Sequence, residues 1–223
     1  MKIDKNYSNR QIILFVLVIG VLLIGNSFAS GDGSGAETRA ANVTAPEMID
    51  SLHRLLIKSM KLGERVPCTK RYRLLAPHIK NMFDFPLISR LVLGRKHWKQ
   101  MDKETKKRFI SAFTSMTIAT YAKRFDSYSG QHFKTISSHV NRHGHMIVKA
   151  VLIKSNGDKI DFTYICRKTG TGWKIVSVSA KGVNDLSVKR ADYNNFLKGH
   201  SIDELIAKLE EQSKGCLGGN RTT

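Results

Sequence analysis

The sequence predicts an α+β protein in which helices cover one face of a four-stranded antiparallel sheet. Between Gly130 and Val183, four short runs carry apolar residues at every second position and are separated by turn signals. Longer runs with apolar residues at helical spacing lie before and after this region. Side chains of a strand point alternately to opposite faces, so the sheet has one apolar face. That face has to be covered, and the flanking helices can cover it.

The first predicted helices are marked by capping and breaking residues. Thr44 and Glu47 form a capping box, which satisfies the free amides of a helix start, and Gly63 ends this helix. A second, shorter helix is predicted over residues 70–79, with an interruption near Pro77.

Two more helices are predicted before the sheet and two after it. Residues 83–94 form a dense apolar helix, and Asp102 caps a long helix that reaches about residue 125. After the sheet, residues 186–197 have a helical pattern, and a second capping box at residues 201–204 begins the last helix.

The strand pattern is clearest in the second and third runs, residues 146–152 and 160–167. Asn156-Gly157 lies between them and predicts a hairpin with a type I′ turn, because both central positions of that turn need positive φ. The side of the third strand opposite the apolar face is expected to be wet and basic. The residues on the predicted apolar face of these two strands are Met146, Val148, Ala150, Leu152, Ile160, Phe162, Tyr164 and Cys166.

The outer strands are less regular. The first run covers residues 133–140, and the fourth begins at Trp173 after a Thr-Gly-Thr-Gly turn. On the fourth strand the choice of face stays open, because Val176 and Val178 are apolar as well as Ile175.

The chain is divided by composition into four segments. Residues 1–29 combine a charged start, a short apolar run and a small-residue exit, which is typical of a cleaved signal peptide rather than a retained anchor. Residues 30–45 are rich in small and polar residues and indicate a flexible linker. Residues 46–214 form the single predicted domain, and residues 215–223 are predicted to be a loose tail.

The charge is strongly positive. The chain has 37 Lys and Arg residues against 18 Asp and Glu residues, a formal net charge of +19. Such an excess attracts nucleic acid, anionic lipid headgroups or acidic proteins, and it also occurs on ordinary solvated surfaces. Export and the lack of a nucleic-acid motif argue against nucleic acid.

The cysteines and histidines do not predict a metal site or a cofactor site. Three cysteines are too few for a disulfide scaffold, although Cys68 and Cys216 could pair in an oxidising compartment. Cys166 lies on the apolar strand face and is expected to be a small buried side chain. The histidines near His143 have no Asp, Glu or Cys beside them, so a solvent-exposed cluster is expected.

Catalytic motifs are absent from the sequence. It has no nucleophile elbow, P-loop or dinucleotide-binding fingerprint, and no pair of acidic residues in an apolar setting. The function therefore depends on whether the apolar residues form a dry core or enclose a cavity. Periodicity does not distinguish these two arrangements. Two alternatives stay open. One is a small-ligand enzyme that uses Tyr164 and Cys166, and the other is an adaptor whose basic face binds an acidic envelope partner.

Several motifs resemble the MlaC (toluene-tolerance auxiliary) family of exported phospholipid carriers. They are Phe83-Asp84-Phe85, residues 88–94 ending in Leu-Gly, and Trp98, followed by a long helix. The resemblance covers residues 46–211, and the segment from Gly182 to Arg190 is closest to the hopanoid-associated branch, HpnM.

This resemblance implies a periplasmic, non-catalytic lipid carrier. In that family, amphipathic helices and a curved, mainly antiparallel four-stranded sheet enclose an apolar pocket for acyl chains. The expected ligand is a phospholipid or related lipid, carried between an outer-membrane lipoprotein complex and an inner-membrane transporter of the ABC type, with transient contact to membrane surfaces. Chosen by face, the expected acyl-chain contacts are Leu91, Val92, Phe109, Phe113, Met116, Tyr121, Met146, Val148, Ala150, Leu152, Phe162, Tyr164, Trp173 and Ile175.

Overall fold

A computed structural model describes residues 43–218, which form six helices and five strands. The predicted signal peptide and residues 30–42 of the predicted linker lie outside the described residues. Four helices precede an antiparallel sheet and two follow it, so the predicted α+β class is confirmed. The elements are α1 (Ala45–Leu62), α2 (Cys68–Met82), α3 (Phe85–Gln100), α4 (Lys103–Arg124), β1 (His132–Val140), β2 (Met146–Ile153), β3 (Lys159–Thr169), β4 (Gly172–Ala180), β5 (Val183–Asn184), α5 (Asp185–Phe196) and α6 (Ile202–Leu217).

The sheet is a meander in which each strand pairs with the next, in the order β1-β2-β3-β4-β5. The four predicted strands are present, and β5 is an additional strand of two residues that pairs with the end of β4. Lys181 and Gly182 have positive φ angles of 50° and 77° and reverse the chain between these two strands. Such a short strand carries no periodicity, which is why the sequence pattern does not predict it.

The hairpin between β2 and β3 is present, but its predicted type I′ turn is wrong. Gly157 has a φ of 85°, whereas the only non-glycine residue with positive φ in the described part of the chain is Lys181. Asn156 therefore does not have the positive φ that a type I′ turn needs. Lys154 N donates to Asp158 O at 2.9 Å, and Gly157 N donates to Lys154 O at 3.0 Å. This pattern is a three-residue loop in which glycine takes the left-handed position.

A β-bulge settles which residues of β4 face the helices. Cys166 of β3 lies opposite Ile175, and Tyr164 lies opposite Val178, so the register shifts by one residue between the two pairs. Residues directly opposite each other point to the same face of a sheet. The bulge therefore places both Ile175 and Val178 on the apolar face, although their spacing along the chain is odd.

The opposite face of the sheet is more apolar than predicted. Val151 lies between Lys134 and Asp161 in the register of the sheet, and its side chain is only 5% exposed. Ile147 and Lys149 precede Val151 at every second position of β2, so they lie on the same face of the sheet. Long charged side chains can cover an apolar neighbour with their aliphatic stems while their charged groups stay in water.

The helix starts largely follow the predictions. Both hydrogen bonds of the Thr44–Glu47 capping box are present, as are both bonds of the Ser201–Glu204 box. Asp102 accepts a hydrogen bond from Thr105 N and caps α4. The last helix continues to Leu217, so the predicted tail lies partly within it and partly outside the described residues.

The predicted interruption of the second helix near Pro77 is wrong, because α2 is continuous from Cys68 to Met82. Leu75 and Ile79, on either side of the proline, are fully buried. Arg71 donates to the carbonyl oxygens of Ala122 and Gly63, each at 2.8 Å. The burial of Leu75 and Ile79 and the hydrogen bonds of Arg71 compensate for the backbone hydrogen bond that proline removes.

Asp84 joins the helices to the sheet at the start of α3. Its backbone N–H donates to Ile175 O at 3.0 Å, which extends the free edge of β4 by one bridge. One carboxylate oxygen accepts from Leu87 N at 3.1 Å and caps α3. The other accepts from Arg167 Nε of β3 at 2.6 Å. One residue thus fixes both where α3 begins and where it sits on the sheet.

The helix predicted to end at Gly94 instead changes direction there. Gly94 has φ 74° and ψ 167°, after which helical turns resume and reach Gln100. A Cβ atom on this glycine would lie 3.4 Å from the guanidinium of Arg190 on α5. Both the positive φ and the close approach of α5 therefore favour glycine.

Cys68 and Cys216 form a disulfide that joins α2 to α6 across 148 residues of sequence. Cys166, the remaining cysteine, is buried and free. Cross-linking so long a loop restricts the unfolded chain strongly. None of the helices within residues 43–218 is long and apolar enough to span a bilayer.

We expect the Cys68→Ala/Cys216→Ala double variant to lose roughly 2 to 5 kcal/mol of unfolding free energy, because its unfolded chain is no longer cross-linked. Chemical denaturation of both proteins measures the loss. Thiol titration of the wild-type protein should give no reactive thiol when folded and one when denatured. Equal stabilities for the two proteins would contradict the predicted role of the disulfide.

Candidate functional site

A continuous series of aromatic rings lies between the helices and the apolar face of the sheet. Phe113 of α4 lies 6.0 Å from Phe109 and 6.2 Å from Phe85, measured between ring centroids. Phe83 lies 5.7 Å from Phe85 and 5.9 Å from Tyr121. Rings at these separations have favourable contacts, and they form a wide apolar seam. The seam continues through Phe125, Phe133, Phe162 and Tyr164, with Tyr193 beside Phe109 and Phe113.

A cleft opens on this seam between α3, α4, β4 and α5. It has a cavity volume of about 40 Å³. Its walls are largely apolar. The lining residues are Phe83, Phe85, Ile88, Val92, Phe113, Thr117, Tyr121, Val176, Ser177, Val178, Asp185, Leu186 and Lys189.

The polar groups of the cleft are few and differ in their bonding. Asp185 and Lys189 form an ion pair, with Oδ1 and Nζ 2.5 Å apart. The hydroxyl of Ser177 accepts a hydrogen bond from Asn184 Nδ2 at 2.8 Å. The buried hydroxyl of Thr117 has no hydrogen-bond partner among the described residues. The cleft therefore combines an apolar wall with one ion pair and one unsatisfied hydroxyl.

Comparison with known proteins identifies the family. The model of the MlaC protein family matches residues 52–211. The chain belongs to the MlaC family. Proteins of this family are periplasmic. No curated protein matches the chain.

The MlaC fold is also present in a solved structure. The phospholipid-binding protein from Ralstonia solanacearum, determined in complex with a phospholipid, matches with a TM-score of 0.67 at 18% sequence identity. The match covers 78% of this chain and 99% of the Ralstonia chain. At this identity the likeness establishes the shared fold.

Three of the residues predicted to contact acyl chains line the cleft of this MlaC protein: Val92, Phe113 and Tyr121. Four others are part-buried, namely Leu91, Met146, Phe162 and Trp173. The remaining seven are buried in the surrounding core: Phe109, Met116, Val148, Ala150, Leu152, Tyr164 and Ile175. Twelve of the fourteen predicted residues belong to one buried apolar cluster or pack against it, whereas Leu91 and Leu152 are outside that cluster. Acyl-chain contact by each of the fourteen stays a prediction.

The sequence reasoning missed most of the cleft lining. Phe83, Phe85 and Ile88 belong to the motif that resembles the MlaC family, and the helical spacing of Phe85 and Ile88 with Val92 could have indicated two of them. The β-bulge prevented the prediction of Val178, because simple alternation along β4 assigns Val178 to the face opposite that of Ile175. Asp185 lies at the start of α5, where only the folded structure brings it to the cleft.

Tyr164 and Cys166, the starting point for an enzymatic site, do not line the cleft. They are 1% and 0% exposed. Burial raises the pKa of the Cys166 thiol to about 12, and burial also raises the pKa of Tyr164. Because a thiol nucleophile has to be ionised, Cys166 serves here as a small core residue. Tyr121, on the cleft wall, likewise has a raised pKa, caused by burial and by the nearby Asp185.

A buried histidine connects α1 to the sheet beside the seam. His53 is 4% exposed, and its Nε2 lies 3.1 Å from the hydroxyl oxygen of Tyr164. Its ring stacks on Phe133 with a centroid distance of 4.1 Å. Asp50 lies 4.0 Å from Nδ1 and accepts a hydrogen bond from Thr135 at 2.6 Å. Burial lowers the pKa of His53 to about 4, and the nearby Asp50 opposes this shift only in part.

We expect the pKa of His53 to make folding stability depend on pH. Between about pH 6.5 and pH 4 the unfolded chain binds a proton at this histidine and the folded protein does not. The free energy of unfolding should therefore fall as the pH falls through this window, by about 3 kcal/mol from this residue. Urea denaturation at several pH values measures the dependence.

The control for this prediction is His53→Gln, which does not titrate. The other histidines and the carboxylates are common to both proteins, so the variant should show a smaller loss of stability over the same pH window. Parallel pH profiles for the two proteins would contradict the prediction.

Proposed function

We propose that this protein is a periplasmic lipid carrier that shuttles phospholipid, or a hopanoid-type lipid, between the outer and inner membranes without catalysing a reaction. The observation that carries the proposal is the apolar, aromatic cleft between the helices and the sheet in a chain of the MlaC family. The solved Ralstonia protein with the same fold is described as binding a phospholipid, which supports the same ligand class here.

The energetics of lipid transfer explain why a carrier needs such a cleft. Each buried CH₂ group of an acyl chain contributes about 0.8 kcal/mol, so the protein has to replace most of the burial that the membrane supplies. The cleft has a cavity volume of about 40 Å³, which is room for only a few water molecules. Acyl chains therefore require the walls to separate, and lipid entry becomes coupled to opening of the seam.

The proposed location follows from the family and the disulfide. A link between Cys68 and Cys216 is expected in an oxidising compartment, and the periplasm is one. We propose that residues 1–29 direct export as a cleaved signal peptide, as their pattern indicates.

The proposed partners are those that the family resemblance implies. They are an inner-membrane transporter of the ABC type and an outer-membrane lipoprotein complex, between which the carrier moves. The net charge of +19 would favour brief contact with anionic membrane surfaces.

The first test is mass spectrometry of lipids extracted from the protein purified out of a bacterial envelope. We expect a phospholipid or hopanoid at close to one equivalent, because a carrier binds its cargo tightly enough to survive purification. A protein that carries no lipid, and that takes up none from vesicles, would contradict the carrier function and favour the adaptor with a filled core.

The second test fills the cleft. In Val178→Trp the larger side chain occupies space on the cleft wall, so lipid uptake from vesicles should fall severalfold while the protein stays folded. The matched control is Val188→Trp, at a position on α5 that is 43% exposed and does not line the cleft. Equal uptake by both variants would show that lipid does not bind in this cleft.

A further inference from the structure

We propose that the mouth of the cleft selects zwitterionic phospholipids, whose headgroup carries a phosphate and an ammonium, over phospholipids with a net negative headgroup. This inference rests on the proposed carrier function, because it names the lipid class for the same cleft. Its basis is that the ionisable side chains lining the cleft include one carboxylate and one amine, Asp185 and Lys189.

These two groups are held together at one end of the cleft. They lie one helical turn apart at the start of α5, and the ammonium of Lys189 is 2.5 Å from the carboxylate of Asp185. The side chain of Lys189 is 18% exposed and that of Asp185 is 53% exposed, so Asp185 lies at the solvent side of the cleft and most of the lysine side chain is covered. The positive end of the helix dipole stabilises the acidic group at this position.

The rest of the cleft indicates how a lipid would be oriented. Acyl chains belong against Phe85, Phe113 and the other apolar walls, since only there do they leave water. Thr117 lines the cleft and is 9% exposed, and its buried hydroxyl has no hydrogen-bond partner among the described residues. A buried hydroxyl without a partner is costly, and an ester oxygen of a lipid would satisfy it. A lipid bound in this way would place its headgroup beside Asp185 and Lys189.

The ion pair is expected to interact differently with the two classes of headgroup. A phosphate that approaches Lys189 competes with Asp185 for the ammonium of the lysine. A zwitterionic lipid brings its own ammonium, which replaces Lys189 as the partner of Asp185. A phosphoglycerol headgroup brings no cation, so the phosphate and the carboxylate of Asp185 repel each other.

Cations of β3, β4 and α5 that do not line the cleft lie close to other protein groups. Arg167 is paired with Asp84 at 2.6 Å, and Lys174 donates to Asn81 Oδ1 at 3.0 Å. Arg190 follows Lys189 in the chain, but its guanidinium lies close to Gly94 of α3. Asp185 and Lys189 are the carboxylate and the amine among the residues that line the cleft.

The experiment is a competition between two lipids with the same acyl chains. Lipid-free protein is incubated with vesicles of equal parts phosphatidylethanolamine and phosphatidylglycerol, separated by flotation, and extracted for mass spectrometry. We expect bound phosphatidylethanolamine to exceed phosphatidylglycerol about three- to fivefold, a modest ratio because Asp185 is half-exposed to solvent. Equal loading, or an excess of phosphatidylglycerol, would overturn the inference and leave the carrier function intact. Loading of neither lipid would overturn both.

Two variants and a control assign any preference to the mouth. Asp185→Asn should bring the ratio close to one, and Asp185→Lys should invert it in favour of phosphatidylglycerol. Asp203→Asn is the matched control, because it makes the same change of charge at an exposed position on α6, paired with Arg108. Circular dichroism confirms that each variant is folded. A preference that persists in Asp185→Asn, or that disappears in Asp203→Asn, would overturn the assignment.

Discussion

The arrangement of the cleft depends on how Asp84 fixes α3 to the sheet. Its backbone extends β4, while its carboxylate caps α3 and pairs with Arg167 of β3. The carboxylate is 9% exposed, and a charge this deeply placed is tolerated only with such partners. The adjacent Phe83 and Phe85 are thereby directed into the seam, where they form one wall of the cleft. The polar residue Asp84 thus positions the two aromatic side chains beside it on the wall of the cleft.

The sequence predicted most of the elements because each has a local signal. Alternation over residues 146–152 and 160–167 specified two strands, and the caps at Thr44, Asp102 and Ser201 specified three helix starts. These patterns involve residues close in sequence, and local propensity and burial agree at each of them. The family resemblance supplied the ligand class, which no periodicity contains.

What the sequence did not predict are features that depend on distant contacts. The bulge in β4 reverses parity between Ile175 and Val178, so an alternation rule selects the wrong face for part of the strand. The continuation of α2 past Pro77 is held by burial of Leu75 and Ile79. The cleft lies where α3, α4, β4 and α5 meet, and three of the fourteen predicted side chains reach its surface because facing the core is not the same as lining a cavity.

The disulfide has a mechanical consequence for the helices. Cys68 and Cys216 tie α2 to α6, and both helices pack on α4, so these three helices form a braced unit. The other two helices, α3 and α5, pack on each other, and both line the cleft. The covalent tie limits separation of α2, α4 and α6, so any opening of the cleft has to occur at the contacts that α3 and α5 make with each other and with the rest of the fold. Widening of the cleft would thus involve two of the six described helices, while the three braced helices keep their packing.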